Sequence, residues 1–293
     1  MEQQRSVFIP RKTLHCNGKL ITIDKPFVMG IINVTKDSFF SGSRYRSSYS
    51  IAKRAQQILA EGGDIIDVGA CSTRPGSKPV SENEEMKRLN KALTAIRKKF
   101  PDAIISVDTF RSSVAKRVVK DFNVDIINDI SAGEIDSAMF KTVAELNVPY
   151  ILMHMKGTPE NMQQNPTYEN VIRELVLFFN EKIEKLKQHN VKDIIIDPGF
   201  GFGKTIEHNY TILKNLETFR LLELPLLVGI SRKSMIYKAL GISPEKALNG
   251  TTILNTIALQ KGASILRVHD VRPAVEAIKL MNIVNSQPEF QFI

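Results

Sequence analysis

The sequence predicts one (β/α)8 barrel with an N-terminal β-hairpin. Its apolar runs rich in Ile and Val have the composition of buried strands. Most are separated by segments long enough for a helix, and strands that alternate with helices form parallel sheets with right-handed crossovers. Eight such units fit a closed barrel, which usually takes about 250 residues. The eight strands are predicted at 27–33, 64–69, 103–108, 124–129, 150–155, 193–197, 224–230 and 263–270.

Turn signals define the hairpin. Asn17-Gly18 separates KTLHC from KLITI, and Asn-Gly is the strongest short signal for a two-residue hairpin turn. We therefore expect residues 12–23 to form a hairpin that plugs the bottom of the barrel. No linker or low-complexity stretch interrupts the rest, so a single domain is predicted over 1–293, with the barrel at about 27–285.

Apolar spacing predicts the helices. A helix over 49–60 places Ile51, Ala55 and Ile58 on one face and ends at Gly62-Gly63. A doubly wound open sheet is the alternative fold, but the Gly-x-Gly-x-x-Gly turn that it favours after the first strand is absent. A longer helix near 168–189 carries the stripe Val171, Leu175, Phe178, Phe179, Ile183 and Leu186.

The composition is that of a globular protein. With 43% hydrophobic and 24% charged residues, it excludes disordered, collagen-like and coiled-coil chains, and no run of 18 uncharged apolar residues could span a membrane. The start lacks the apolar core of an export signal, and Cys16 and Cys71 form no disulfide framework, so we expect a cytoplasmic location. The net charge of +9 favours anions, although a solvated helix surface explains it equally well, and we expect no nucleic-acid partner.

Polar residues stand at the carboxyl end of nearly every predicted strand. In a barrel these ends and the loops after them build the active site. Turns also favour Asn and Asp, so one such residue means little. Convergence of the whole set on one space predicts a functional site, because buried polar groups need a ligand or mutual pairing. The set is Asn33, Asp67, Asp108, Asn128, His154, Asp197, Ser231 to Lys233, Arg267 and His269.

These residues divide by chemistry. Asp108, Asn128 and Asp197 offer acceptors that suit a heterocycle with several N–H donors. Lys233, Arg267 and His269 offer donors that suit an anion or a carbonyl.

Arg267 and His269 lie two apart on one strand, so their side chains point the same way. We expect Asp270 to cap a helix that starts near Val271, whose N-terminus would help to hold phosphate. A purely structural Arg–Asp pair remains an alternative for Arg267.

The segment DPGFGFGKT (197–205) looks like a phosphate loop, but Pro198 occupies the position of the first glycine of that motif. Its glycines favour a backbone that passes close to a flat ring, while Phe200 and Phe202 could equally pack in the core. The five histidines and two cysteines show no zinc spacing. Magnesium held by one side-chain oxygen and substrate phosphates needs no such signature.

Eight ordered motifs over about Leu14 to Ile278 resemble the dihydropteroate synthases. The resemblance implies that 6-hydroxymethyl-7,8-dihydropterin pyrophosphate and 4-aminobenzoate condense to 7,8-dihydropteroate and pyrophosphate in folate biosynthesis. It further implies Mg2+, a homodimer and a site of the kind that sulfonamides target. The motifs are MGIINVTKDSF (29–39), DIIDVGACSTRPGS (64–77), ISVDTFR, IINDISAG, ILMHMKGTP, DPGFGFGKTIEHNY, LLVGISRKSMI and ILRVHDV.

The resemblance also implies a role for each matching residue. The pterin would be bound by Asp108, Asn128, Met153, Asp197, Phe202 and Lys233, with Asp108, Asp197 and Lys233 catalytic. The pyrophosphate would be held by Asn33, Thr73, Arg267 and His269, with Asn33 also the protein ligand of Mg2+. The aminobenzoate would be enclosed by Phe39, Thr73, Arg74, Pro75, Ser231 and Arg232.

Two long loops, 34–48 and 70–82, are predicted lids. Lys36 stands where the family usually has proline, and Cys71 where it commonly has glutamate. No strong general base stands out, so we expect a dissociative path through a pterin-methyl cation. The nearest rival is another pterin-binding barrel, a methyltetrahydrofolate:corrinoid methyltransferase, which would not need the STRPG loop or the Arg267–His269 pair.

Overall fold

A computed structural model of the chain describes residues 12–16, 18–35, 47–72 and 80–288. Within these ranges, eight parallel strands lie side by side in the order β8-β7-β6-β5-β4-β3-β10-β9. A parallel bridge between Ile196 and Leu226 joins the two outer strands and closes the barrel. The predicted (β/α)8 fold is therefore confirmed. The barrel strands are β3 (Phe27–Asn33), β4 (Ile65–Gly69), β5 (Ile104–Asp108), β6 (Ile126–Asp129), β7 (Tyr150–Met153), β8 (Ile194–Asp197), β9 (Leu227–Val228) and β10 (Ile265–Val268).

Helices surround these strands. The predicted helix over 49–60 is confirmed, and Ser47 and Ser50 close its N-terminus with reciprocal hydrogen bonds. The predicted stripe at 168–189 is also buried, except that Phe178 is only partly covered. The helices are α1 (Ser48–Ala60), α2 (Glu82–Lys99), α3 (Ser112–Phe122), α4 (Met139–Leu146), α5 (Val171–Gln188), α6 (Ile206–Lys214), α7 (Ser234–Tyr237), α8 (Leu248–Gln260) and α9 (Val271–Asn285), with 3-10 turns at Leu216–Leu222 and Pro244–Lys246.

The N-terminal hairpin consists of β1 (Lys12–Cys16) and β2 (Lys19–Ile23), which pair antiparallel. Its turn residue Asn17 lies outside the described residues. Leu14, Cys16 and Ile23 pack against the inward side chains of the barrel strands, so the predicted plug is confirmed.

Alternation along the strands places the polar residues at the mouth of the barrel. Ile126, Ile151, Ile195 and Ile265 all point inward and line the lower interior with the hairpin. Side chains two residues further along a strand point to the same face. The next inward positions therefore lie one layer higher and belong to Asn128, Met153, Asp197 and Arg267.

Strand β9 is shorter than its predicted range of 224–230. Pro225 has no N–H to donate to a ladder, although its carbonyl accepts from the amide of Ile196 at 3.0 Å. None of the helices in the described ranges combines the length and apolar character that crossing a bilayer needs. The single domain over 1–293 stays a prediction.

Candidate active site

The carboxyl ends of the strands bring the predicted polar residues to one rim. Strand register pairs Gly69 with both Asn33 and Asp108, and pairs Asp108 in turn with Asn128. Met153 and Asp197 are register partners on β7 and β8. A Cβ built on Gly229 would lie 3.9 Å from Lys233 Nζ and within 4.0 Å of Arg267. The rim thus gathers the predicted residues Asn33, Asp108, Asn128, Met153, Asp197, Lys233 and Arg267.

Arg267 is held by two carboxylates. Its Nε and Nη2 lie 2.8 and 2.7 Å from Oδ2 of Asp67, and Nη2 lies 3.2 Å from Oδ2 of Asp108. Asp67 is fully buried, and its Oδ1 has no hydrogen-bond donor among the described residues. The structural Arg–Asp pair considered from the sequence therefore exists, and it joins Arg267 at the rim to Asp67 one layer below it.

The two charged groups that face each other at the rim both have shifted pKa values. Burial raises the pKa of Asp108 to about 7, against the opposing effect of Arg267, and the charge of Asp67 raises it further. Burial lowers the pKa of Lys233 to about 8, with Asp197 opposing the shift and Arg267 adding to it. Asp108 is therefore ionised above about pH 7, and Lys233 is cationic below about pH 8. Such opposed shifts in one cleft are typical of functional sites.

Lys233 is fixed from the loop after β8. Its Nζ donates to the carbonyl of Phe200 at 2.5 Å and lies 4.7 Å from the centre of the Phe202 ring. Phe200 is a fully buried core residue, whereas Phe202 lies in a small apolar cluster with Met153. From the sequence, Phe200 and Phe202 could either pack in the core or lie near a flat ring. Phe200 packs in the core, and Phe202 lies at the rim.

Position 199 in the same loop requires glycine. Gly199 adopts a φ of +68°, and a Cβ there would collide with the carbonyl oxygen of His154. The amide of Gly199 donates to Oδ1 of Asp197 at 2.7 Å. The loop therefore folds back over the end of β7 and supports a carboxylate whose pKa is raised by burial.

His269 is a neutral imidazole at this rim. Burial and the neighbouring Arg267 lower its pKa to about 3. Its Nδ1 lies 3.1 Å from Oγ of Ser231, which also accepts from the backbone N–H of His269 at 3.2 Å. If the Ser231 hydroxyl donates to Nδ1, Nε2 carries the ring proton. His269 can then bind an anion as a hydrogen-bond donor and not as a cation.

The predicted side-chain cap of α9 is wrong. Asp270 occupies the N-cap position, but its side chain makes no capping hydrogen bond. Instead its two oxygens accept from Nε and Nη2 of Arg232 at 2.7 and 3.0 Å. The guanidinium offers this carboxylate two charge-assisted hydrogen bonds, one to each oxygen.

Arg232 is itself buried, and its Nη1 donates to the carbonyls of Pro244 and Glu245. Its predicted contact with aminobenzoate stays a prediction. The other predicted aminobenzoate residues apart from Ser231, namely Phe39, Thr73, Arg74 and Pro75, lie outside the described residues, as does Lys36.

The oxygen atoms at Asn33 fit the predicted magnesium site. A Cβ on Gly69 would lie 3.3 Å from Oδ1 of Asn33 and 3.8 Å from Oδ2 of Asp108, so glycine leaves room beside two oxygens. Mg2+ prefers oxygen ligands and often takes only one or two from the protein. Among the described residues, no group of three or more His, Cys, Asp or Glu could hold a metal ion.

A cluster formed by α2 and the segments that follow β4 and β5 was not predicted. Glu85 of α2 is fully buried, accepts from Thr109 Oγ1 at 2.7 Å and pairs with Arg111. Arg111 also lies 3.6 Å from Cys71 Sγ and donates to the carbonyl of Val80 at 2.7 Å. Burial raises the pKa of Cys71 to about 12, so this thiol is protonated and packs as a neutral group.

Comparison with known proteins identifies the family. The sequence profile of the pterin binding enzymes matches residues 29–269. The dihydropteroate synthase of Escherichia coli K12 is 41% identical over 278 residues, which cover 94% of this chain and 98% of that protein. The chain belongs to the dihydropteroate synthase family. A second family member, from Haemophilus influenzae, is 39% identical over 91% of this chain and 97% of its own length.

Solved structures of the family have the same fold. The Yersinia pestis dihydropteroate synthase, crystallised with a sulfonamide drug, superposes with a TM-score of 0.90 at 37% identity and covers 94% of this chain and all of its own. The Coxiella burnetii dihydropteroate synthase, in complex with pteroic acid, gives a TM-score of 0.85 at 36% identity over 94% of this chain and 98% of its own. By its family, the chain is a transferase of folate biosynthesis.

Proposed function

We propose that this chain condenses 6-hydroxymethyl-7,8-dihydropterin pyrophosphate with 4-aminobenzoate to give 7,8-dihydropteroate and pyrophosphate. One observation carries the proposal: acidic Asp108 and Asp197 share a barrel rim with cationic Lys233 and Arg267. A pterin pyrophosphate carries both matching chemistries, because its ring presents N–H donors and its tail is an anion.

The pterin half of the site would be built on the carboxylates. Asp197 and Asn128 would accept from the N–H groups along the edge of the ring, and Lys233 would donate to a ring acceptor. Met153 and Phe202, which pack in one apolar cluster, would cover the face of the ring. Hydrogen bonds to the pterin would thus satisfy the buried charged groups of Asp197 and Lys233, which would otherwise be costly to bury.

The pyrophosphate half would use donors around β10 and α9. The Arg267 guanidinium would bind phosphate oxygens, His269 would donate from its neutral ring, and the N-terminus of α9 at Val271 would add its positive dipole. Asn33 Oδ1 would hold Mg2+, which neutralises charge on the pyrophosphate when bound. Asn33→Ala should raise the Mg2+ concentration needed for half-maximal activity, while leaving binding of the metal-free pterin alcohol unchanged.

The reaction would proceed in two steps. The bond between the pterin methylene carbon and the pyrophosphate oxygen breaks, and its electron pair leaves with pyrophosphate. The Asp108 carboxylate stabilises the positive charge that develops on the pterin. The amine nitrogen of aminobenzoate then forms the C–N bond, and its proton passes to water or to the released pyrophosphate. Because the cation is a strong electrophile, the weakly basic arylamine needs no strong general base.

The second substrate would bind beside this centre. Ser231 lies at the rim through its contact with His269 and would form one wall with Arg232. By resemblance to the family, Phe39, Thr73, Arg74 and Pro75 would form the other wall.

Assembly and location complete the proposal. On α9, Leu280, Ile283 and Val284 share one face and are 65%, 59% and 64% exposed, and Ile253 on the adjoining α8 is 51% exposed. Exposed apolar residues of this kind mark interaction surfaces, and we propose that they form a homodimer interface. We also propose that the protein is located in the cytoplasm. Sedimentation should show a dimer that Ile283→Glu dissociates, and a monomeric unaltered chain would contradict it.

The function is tested by mixing the purified chain with the dihydropterin pyrophosphate, 4-aminobenzoate and Mg2+. Equal amounts of dihydropteroate and pyrophosphate are expected. No product would refute the proposal. Methyl transfer from methyltetrahydrofolate to a corrinoid, without pyrophosphate release, would instead favour the rival methyltransferase.

A further inference from the structure

Lys204 is a buried lysine for which neither the pterin nor the pyrophosphate half of the site gives a role. Its side chain is 2% exposed, and it forms no salt bridge within the described part of the chain. Its Nζ lies 2.9 Å from Nδ1 of His154, 3.3 Å from the carbonyl of His154 and 3.0 Å from the carbonyl of Phe202. The charge of Asp197 opposes the lowering of the Lys204 pKa, but burying a lysine without a direct ion pair is costly, so its presence calls for a reason.

The three contacts can be satisfied in either protonation state. An ammonium would donate to all three atoms. A neutral amine would donate to the two carbonyls and accept from Nδ1–H of His154. Burial lowers the pKa of both Lys204 and His154 well below their usual values, so His154 is neutral in either case. The same three contacts are therefore compatible with either protonation state of Lys204.

These contacts tie two segments that carry rim residues. His154 directly follows β7, where Met153 lines the rim, and Phe202 belongs to the loop after β8. In that loop, the Phe200 carbonyl binds Lys233 Nζ and the Phe202 ring lies under it. Phe178 also packs edge-on against the His154 ring, with 4.8 Å between the two ring centres.

We propose that Lys204 is a positioning residue that, together with His154, fixes the loop over residues 199–203 so that its carbonyl and ring groups hold Lys233 ready for the pterin. The proposal rests on the proposed function, since it deepens the role of the same site. Lys204 acts through Lys233 and Phe202 and would not touch either substrate.

The test compares the two substrates in Lys204→Met, which keeps most of the unbranched side chain and removes its polar contacts. The affinity for dihydropterin pyrophosphate, measured by calorimetry, should fall by about tenfold or more. The Michaelis constant for aminobenzoate should stay within about twofold. An unchanged pterin affinity, or equal losses for both substrates, would overturn the proposal.

Lys182→Met is the matched control. Lys182 is also a largely buried lysine, with its Nζ 3.1 Å from Glu134 and 5.5 Å from the centre of the Phe178 ring. Its loss loosens packing around the same ring without touching the loop. Lys182→Met should lower the melting temperature and leave the pterin affinity unchanged. If it lost as much pterin affinity as Lys204→Met, the effect of Lys204→Met would come from general loosening of the packing, which would contradict the positioning role.

A second pair of variants keeps the idea testable if Lys204→Met fails to fold. Asparagine at position 154 keeps a polar atom near the place of Nδ1, whereas leucine does not. His154→Asn should therefore bind the pterin pyrophosphate at least about fivefold more tightly than His154→Leu. Equal binding by the two would overturn the positioning role. The calorimetric measurements of pterin affinity need no turnover, so they succeed or fail independently of whether the unaltered chain makes dihydropteroate.

Discussion

Arg267 donates from Nε to Oδ2 of Asp67, and its Nη2 forms an ion pair with the same oxygen at 2.7 Å, across the intervening strand β3. Asp67 points inward from β4 one layer below the rim and is fully buried. The guanidinium is thus anchored from beneath while its Nη2 also reaches Asp108. A structural ion pair and a binding role are therefore compatible, because the pair determines where the guanidinium lies.

Asp67→Asn should reduce kcat/KM for the pterin substrate by at least about tenfold, because Arg267 loses its charged anchor. The measurement is steady-state kinetics together with a melting curve. Asp125→Asn is the control, since Asp125 is a buried partner of Arg97 at 2.9 Å, placed before the start of β6 at the other end of the barrel. It should lower stability alone, and equal kinetic losses in the two variants would contradict the anchoring role.

The pH profile of kcat/KM should be bell-shaped. Asp108, with its pKa raised to about 7, gains its carboxylate charge as the pH rises through that value. Lys233, with its pKa lowered to about 8, loses its charge as the pH rises further. The maximum should therefore fall between these two values, and Asp108→Asn should remove the acid limb from the residual activity. A profile that is flat down to about pH 5 would exclude Asp108 as the ionised group.

Lys233→Met should weaken pterin binding by about 1.5–3 kcal/mol, the usual contribution of a charged hydrogen-bond donor. Calorimetry with the pterin pyrophosphate measures it. Lys156→Met is a fair comparison, since Lys156 Nζ also lies over an aromatic ring, 4.2 Å from the centre of Tyr168. Normal pterin binding by the Lys233 variant would refute its role.

Arg74→Ala should raise the Michaelis constant for aminobenzoate far more than it weakens pterin binding. The expectation comes from the position of Arg74 in the STRPG motif, and Arg74 itself lies outside the described residues. Kinetics with each substrate varied in turn would check it. Comparable losses for both substrates would show that this arginine serves no aminobenzoate site.

The barrel and most of the rim could be predicted because both depend on patterns within short stretches of sequence. Eight apolar runs define the strands, and the two-residue alternation then carries Asn128, Asp197 and Arg267 to the mouth. In any closed barrel the carboxyl ends of the strands meet at one rim, so this placement does not depend on how the individual side chains pack.

Contacts between distant segments could not be predicted. Lys204 and His154 are 50 residues apart, and nothing in either motif shows that the loop after β8 folds over the end of β7. Likewise, Asp270 has the residue type and position of a helix cap. It pairs instead with the guanidinium of Arg232, which is 38 residues away in the sequence, and no local pattern indicates this contact.

The most direct test of the account is a single-turnover measurement of pyrophosphate release from the dihydropterin pyrophosphate and Mg2+, without aminobenzoate. If the rim stabilises separated charges as proposed, a burst of pyrophosphate close to one equivalent per site should appear in the unaltered chain and be lost in Asp108→Asn. Release that strictly requires aminobenzoate, even on the first turnover, would contradict the dissociative path and the role given to the rim.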